Sequence, residues 1–83
     1  MSFLILFVGP IAKLPNDRWA IKDTMYGDFE LTSGSQISIN IDGIWVSGRI
    51  EHQGFGDTAN YYFLTLGGAV IELKNGMIGR VNS

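Results

Sequence analysis

The 83-residue sequence contains no cysteine, two prolines and a single histidine. Without cysteine the chain has no disulfide, no thiolate nucleophile and no thiolate metal site, which is in keeping with the reducing cytoplasm where we expect the protein. With His52 alone, one chain cannot build a multi-histidine metal centre. We expect no cofactor and no metal, although composition alone leaves open an Asp/Glu site for a hard cation.

Charge and long apolar runs are also scarce. Six basic and eight acidic residues give a net charge of −2 and are scattered along the chain. Non-specific nucleic-acid binding depends on a basic patch, so we do not expect a nucleic-acid partner.

The apolar run from Ser2 to Val8 is short, whereas a membrane-spanning helix needs about 20 residues. It also lacks the preceding basic residues of a signal peptide. We therefore expect no membrane association.

The sequence is dominated by patterns typical of β-strands. Stretches long enough for a helix are interrupted by Gly or Pro, or are rich in β-branched and aromatic residues. Short alternating segments separated by turn residues are typical of small barrels and sandwiches. We predict one all-β domain over residues 1–83, a small SH3-like barrel of five to seven short antiparallel strands. The strand candidates are Phe3–Val8, Trp19–Lys22, Asp28–Leu31, Gln36–Ile41, Ile44–His52, Tyr61–Leu66, Val70–Leu73 and Met77–Val81.

The clearest local signal is a hairpin. Two strictly alternating segments, Gln36–Ile41 and Ile44–His52, are joined by Asp42-Gly43, a dipeptide that favours a two-residue turn. Alternation places Trp45, Ser47, Arg49 and Glu51 on one side of the second strand. The predicted core comprises Trp19, Ile21, Phe29, Leu31, Ile37, Ile39, Ile41, Ile44, Val46, Ile50, Phe63, Val70, Ile71, Leu73, Met77 and Val81, with either Val70 or Ile71 facing outward.

Two further turns are predicted near the ends of the sequence. Gly9-Pro10 is expected to end the first strand, because this dipeptide is a strong turn signal. Lys74–Met77 carries Asn75-Gly76, for which we predict positive φ at both central residues and a tight hairpin. That hairpin would return the C-terminal strand to an edge of the sheet.

From about Trp19 to Val81 the chain resembles a family of short, uncharacterised bacterial and phage proteins that share a domain of unknown function. The resemblance lies in the order of the segments Tyr26–Leu31, Asp42–Glu51, Tyr61-Tyr62 and Gly76–Val81. It implies an SH3-like barrel and no catalytic residues. The closing segment matches loosely at Gly79, and Met1–Val8 and the loop around Phe55 lie outside the pattern.

The predicted binding residues form an aromatic and cationic face. Trp, Tyr and Arg are enriched at binding hot spots, and a glycine-rich loop between two long strands suits recognition. An alternative is that the aromatic rings only pack across neighbouring strands and that Arg49 pairs with Glu51 or Glu72. The candidates are Trp45, Arg49, His52, Tyr61 and Phe55 of the loop.

No catalytic site is predicted. His52 has no nucleophile at a recognisable spacing, and no glycine-rich turn opens a helix as a phosphate-binding loop does. The carboxylates could include an acid/base pair, but spacing alone cannot show one. Those considered are Asp28, Glu30, Asp42, Glu51 and Asp57. We do not expect an enzyme.

Two functions are compatible with these residues. The first is a non-catalytic interaction module, and we expect a phage or mobile-element protein that inhibits a host defence or regulatory protein by binding it. This rests on analogy of size and fold. The alternative is an oligomeric sponge that sequesters a small nucleotide ligand between subunits, with aromatic rings for stacking and Arg18, Arg49 or Arg80 for phosphate.

The apolar N-terminal segment, residues 1–10, predicts self-association. A domain of 83 residues is too small to bury both faces of such a strand, so one face needs a cover. A second copy supplies that cover symmetrically. We expect a homo-oligomer, most simply a dimer, with Phe3, Ile5 and Phe7 at the interface, or Leu4, Leu6 and Val8 if the strand faces the other way.

Overall fold

The computed structural model describes residues 6–53 and 60–82, and these residues form β-strands and turns without a helix. The all-β prediction is confirmed. Within the described ranges no helix is long and apolar enough to cross a membrane. There are eight strands in the described residues, where a barrel of five to seven was predicted. They are β1 (Leu6–Lys13), β2 (Trp19–Asp23), β3 (Gly27–Leu31), β4 (Gln36–Ile41), β5 (Ile44–Gln53), β6 (Asn60–Thr65), β7 (Val70–Glu72) and β8 (Ile78–Asn82).

The strands form a single antiparallel sheet in the order β3-β2-β1-β8-β4-β5-β6-β7. The sheet is not closed, since β3 and β7 are its edges in the described residues. Predicted and observed bounds agree within one residue at most strand ends. The agreement arises because alternation stops at the end of a strand and turn residues begin there.

The predicted β4–β5 hairpin is confirmed. Ile41 pairs with Ile44 and Asn40 with Trp45 across the two-residue turn. Both turn residues have positive φ, 52° at Asp42 and 86° at Gly43, as the hairpin turn requires. The Gly43 amide donates to Asn40 Oδ1 at 3.1 Å, which adds a side-chain bond to the turn.

The first strand differs from its prediction. Gly9-Pro10 does not end it, because β1 continues from Leu6 to Lys13 and changes partner on the way. Leu6–Pro10 pair with β8, whereas Ile11–Lys13 pair with β2. Gly9 permits this because β2 lies directly against it, and a Cβ there would collide with the Lys22 carbonyl. Of the predicted interface residues, Phe3, Leu4 and Ile5 lie outside the described residues.

The C-terminal strand does not lie at an edge. β8 is central, between β1 and β4. Gly76 has positive φ (94°), but Asn75 does not, so the predicted turn type is wrong. Instead the turn packs on β1: the Gly76 amide donates to the Ile11 carbonyl at 2.9 Å, and the Lys13 amide donates to Asn75 Oδ1 at 2.9 Å.

The core lies on one face of the sheet. One predicted member, Ile44, is wrong, since it is 67% exposed, and of the pair Val70 and Ile71 it is Val70, also 67% exposed, that faces outward. Ile44 follows the hairpin turn directly, and Val70 opens the short edge strand β7, whose Ile71 faces Phe63 instead. Ile11 was missed because the first strand was ended too early. The buried apolar residues are Ile11, Ala20, Ile21, Leu31, Ile37, Ile39, Ile50, Phe63, Leu73 and Val81.

Candidate binding grooves

An open groove of about 840 Å³ lies on the face of the sheet that points away from the core. We call it the outer groove. Its floor is formed by β8, β4, β5 and β6, and Leu6 of β1 lies at one end. The residues used below are Gln36, Ser38, Ser47, Arg49, Leu64, Leu66 and Arg80.

Strand register aligns a row of side chains across the sheet. Val8 is opposite Arg80, Arg80 is opposite Ser38, and Ser38 is opposite Ser47. The Leu66 amide donates to the Ser47 carbonyl at 3.1 Å, which brings Leu66 next in the row. The Ser38 and Ser47 hydroxyls are themselves 3.1 Å apart. The row therefore runs from an apolar end through a cation and two hydroxyls to a second apolar end.

Arg80 crosses β4 to reach an aromatic ring on β5. Its Cζ lies over the Trp45 ring, 4.1 Å from the centroid. Both side chains are half-buried. A cation over an indole is attracted by the electron density of the ring face. The contact therefore restricts the Arg80 side chain and holds its donors beside the groove floor.

Arg49 lies one row further along, opposite Gln36 and Leu64. Its Nε atom contacts Glu51 Oε1 at 2.7 Å. The Arg49 side chain is 56% exposed, so its guanidinium is reachable from solvent.

Charge distinguishes this groove from the rest of the molecule. The chain carries a net charge of −2. The outer groove nevertheless contains Arg49 and Arg80, and no Asp or Glu is among the described residues that line it. Glu51 offsets the charge of Arg49, so the excess positive charge of the groove comes from Arg80. A concave surface with excess positive charge attracts anionic ligands.

A second groove, of about 760 Å³, lies where the β1–β2 turn approaches β5, β6 and β7. We call it the end groove. His52 and Tyr61 pair across β5 and β6 there, with ring centroids 4.6 Å apart. Its charges are mixed, since Lys13 and Arg18 line it together with Asp17 and Glu72. Arg18 is engaged by Glu30, with Nη1 to Oε1 at 3.2 Å.

The structure separates the predicted binding face into two parts. Trp45 and Arg49 share the outward face of β5, whereas His52 and Tyr61 line the end groove. Tyr61 also packs against the core. Odd and even positions of a strand point to opposite faces, so Arg49 and His52 diverge. Phe55 lies outside the described residues.

Sequence reasoning missed the centre of the outer groove. Arg80 was considered for phosphate binding only, and Ser38, Ser47 and Leu66 were not singled out. The polar positions Gln36, Ser38 and Asn40 alternate with buried isoleucines, and this pattern marks the outward face of β4. The position of β8 beside β4 could not be read from the chain order.

Of the carboxylates considered in the sequence, Asp28, Glu30 and Glu51 form ion pairs, and Asp42 lies in the β4–β5 turn. Lys22 Nζ lies 2.8 Å from Asp28 Oδ2, and Glu30 and Glu51 contact Arg18 and Arg49. In the described part of the chain no group of three or more acidic or histidine side chains could hold a metal ion. Asp57 lies outside the described residues.

Asp23 has a structural role at the β2–β3 turn. Its carboxylate accepts backbone N–H bonds from Val8 at 2.8 Å, Met25 at 2.7 Å and Tyr26 at 3.0 Å. The Val8 bond, followed by those from Tyr26 and Met25, lowers the pKa of Asp23 below its ordinary value. Asp23 therefore ties the turn to β1.

Phe7, a predicted interface residue, packs within its own chain. Its ring lies 5.1 Å from that of Phe29 and 5.8 Å from that of Tyr26. On the other face of β1, Leu6 and Val8 are the exposed large apolar residues. If a second copy covers β1, these are the described side chains that it meets.

The fold and its two grooves define a small all-β domain built on one open antiparallel sheet. Residues 12–81 match the family described as Domain of unknown function (DUF5348), and the chain belongs to this family. The predicted resemblance to a family with a domain of unknown function is confirmed. Searches of curated proteins and of solved structures found no match.

Proposed function

We propose that the protein is a small non-catalytic interaction module that binds a partner protein in the outer groove. The observation that carries this proposal is the composition of the groove: two arginines, paired serine hydroxyls and exposed leucines, with no acidic side chain among its described lining residues. Arginine and apolar side chains in one concave surface are typical of protein-binding sites.

The aromatic contacts favour this function over a nucleotide sponge. A nucleobase would need an open ring face to stack on. Arg80 occupies one face of Trp45, whose side chain is half-buried, and Tyr61 packs against both His52 and the core. The two arginines of the outer groove could still take phosphate, so the nucleotide sponge stays the alternative.

The barrel type, the cellular location and the kind of partner that we propose come from the sequence. The β1–β2 turn and the edge strand β7 line the end groove together, and we take this proximity as support for the SH3-like barrel that the family resemblance implies. We place the protein in the cytoplasm of a bacterium. There, as a phage or mobile-element product, it would inhibit a host defence or regulatory protein by occupying its surface.

Two exposed apolar residues give a matched test. Leu66 lies in the outer groove and is 85% exposed, whereas Met25 lies outside it and is 79% exposed. The wild type, Leu66→Arg and Met25→Arg are immobilised, and host-lysate proteins retained by each are quantified by mass spectrometry. We expect a protein retained by the wild type and Met25→Arg and reduced at least fivefold by Leu66→Arg. Equal retention of host proteins by the wild type and both variants would contradict binding in the outer groove.

The alternative is tested by thermal shift against a nucleotide panel. A ligand at 100 times its Kd stabilises the folded state by about 2.7 kcal/mol, which is readily measured in a domain of this size. A nucleotide that stabilises the wild type but not Arg80→Gln would favour the sponge. No shift with any nucleotide would leave protein binding as the better account.

A further inference from the structure

We propose that the outer groove recognises an extended acidic segment of the partner, with two carboxylates bound by Arg80 and Arg49 and an aliphatic side chain bound at Leu64 and Leu66. This inference rests on the proposed function and specifies the chemistry of the partner. The argument follows from charge, donor geometry and spacing.

The charge complementarity is specific to this surface. The protein carries eight acidic residues, yet none lies among the described residues of the outer groove. Of the basic residues elsewhere in the described structure, Lys13, Arg18 and Lys22 contact Asp17, Glu30 and Asp28, whereas Lys74 is in none of the described ion pairs and lies outside the outer groove. Among the four ion pairs of the described residues, none includes Arg80. A carboxylate supplied by a partner would complete this site.

The guanidinium N–H groups of Arg80 and Arg49 are suited to binding carboxylates. Guanidinium groups bind carboxylates through two parallel N–H bonds when their orientation is fixed. The Trp45 ring fixes Arg80, and the Glu51 contact fixes Arg49 through Nε. Ser38 and Ser47 lie between the two arginines and offer hydroxyls to the backbone of a segment that crosses the groove.

Spacing sets the length of the segment. Arg80 on β8 and Leu64 on β6 are three strand intervals apart, about 14 Å at normal sheet spacing. An extended peptide covers about 13 Å between its first and fifth residues, and its first, third and fifth side chains point to one side. An acidic residue at the first position would reach Arg80, whose side chain extends from β8 over β4, and one at the third position would reach Arg49 on β5. An aliphatic fifth residue would reach Leu64 and Leu66.

The probe is the acetylated and amidated pentapeptide Glu-Ser-Glu-Ser-Leu, titrated into ¹⁵N-labelled protein and followed by the Nε–H signals of Arg80 and Arg49. The matched peptide has Gln in place of both Glu residues. We expect the acidic peptide to shift both signals and to bind at least tenfold more tightly than the Gln peptide. Equal binding of the two peptides would overturn the proposal.

Protein variants separate charge from folding. Arg80→Glu and Arg49→Glu should each weaken the acidic peptide at least tenfold, and Arg18→Glu, a reversal in the end groove, should change it less than twofold. Arg80→Lys keeps the charge but loses the planar guanidinium, and we expect its affinity for the acidic peptide to fall about fivefold. Circular dichroism verifies that each variant is folded. Peptide binding that is unchanged in folded Arg80→Glu and Arg49→Glu would overturn the proposal.

Competing occupants are tested in the same way. Inorganic phosphate or AMP that shifts the Arg80 signal at lower concentration than the acidic peptide would overturn the proposal in favour of a phosphate ligand. A dimer of the wild type that Arg80→Glu dissociates, seen by light scattering, would assign the groove to a second copy and also overturn it. If Leu66→Arg abolishes retention of a partner while the peptides fail, only this inference is lost and the proposed function stands.

Discussion

Arg80 and Trp45 form the contact that organises the outer groove, with the guanidinium 4.1 Å from the centre of the indole although β4 lies between their strands. A double-mutant cycle with Trp45→Leu and Arg80→Gln measures it. We expect a coupling of about 0.5–1 kcal/mol in the free energy of unfolding, the range for partly exposed cation–π pairs. Urea unfolding followed by circular dichroism gives the four values. The cycle of Trp45→Leu with Arg49→Gln serves as control and should show no comparable coupling.

Gly48 allows β5 and β6 to approach over the core. A Cβ at this position would collide with the Leu64 carbonyl and lie 2.8 Å from Phe63 Cζ. Since the carbonyl belongs to the backbone, it cannot move aside cheaply. We expect Gly48→Ala to lower the free energy of unfolding by about 3 kcal/mol. The control is Gly67→Ala, whose nearest neighbour would be Thr65 Oγ1 at 3.9 Å. An equal effect of the two substitutions would contradict this account.

Asp23 should make stability depend on pH. Three backbone N–H bonds favour its carboxylate in the folded state and lower its pKa. The stabilisation is therefore present above the unfolded pKa of about 3.9 and is lost as pH falls through the lower folded value. We expect Asp23→Asn to be less stable than Asp42→Asn at pH 7, with the difference shrinking below about pH 4. A constant difference between pH 7 and pH 3 in urea titrations would show that the ionised form has no special role.

Self-association remains a prediction, and the packing of β1 sharpens its test. Leu6 and Val8 are exposed, whereas Phe7 packs on Phe29. If a dimer forms through β1, Leu6→Ser with Val8→Ser should yield a folded monomer in light scattering. Phe7→Ser should instead destabilise the fold by about 2 kcal/mol, since it removes a half-buried ring. A wild type that is monomeric at micromolar concentration would refute the dimer.

Local patterns were sufficient to predict most strands but not their arrangement. The β4–β5 hairpin follows from strict alternation and an Asp-Gly turn, and both signals lie within 18 residues or so of chain. The extent of β1 was not predictable in this way. Gly9-Pro10 looks like a turn until β2 is known to lie against Gly9 and β8 against Pro10. Both contacts join distant parts of the sequence.

The candidate site was predicted in part for the same reason. Trp45 and Arg49 belong to one strand, so alternation places them on one face. Arg80 joins them only because β8 lies beside β4, a pairing between residues about 40 positions apart. Tyr61 was grouped with Trp45 from residue type alone, and the strand register assigns it instead to His52 and the end groove.

The central position of β8 also constrains how the chain folds during synthesis. β1 to β3 and β4 to β7 can pair within themselves, but β8 joins the two groups because it lies between β1 and β4. Until Ile78–Asn82 have left the ribosome, both β1 and β4 present unpaired edges, which are the surfaces most prone to intermolecular pairing. The synthesis of β8 thus converts two aggregation-prone groups of strands into a single cooperative unit.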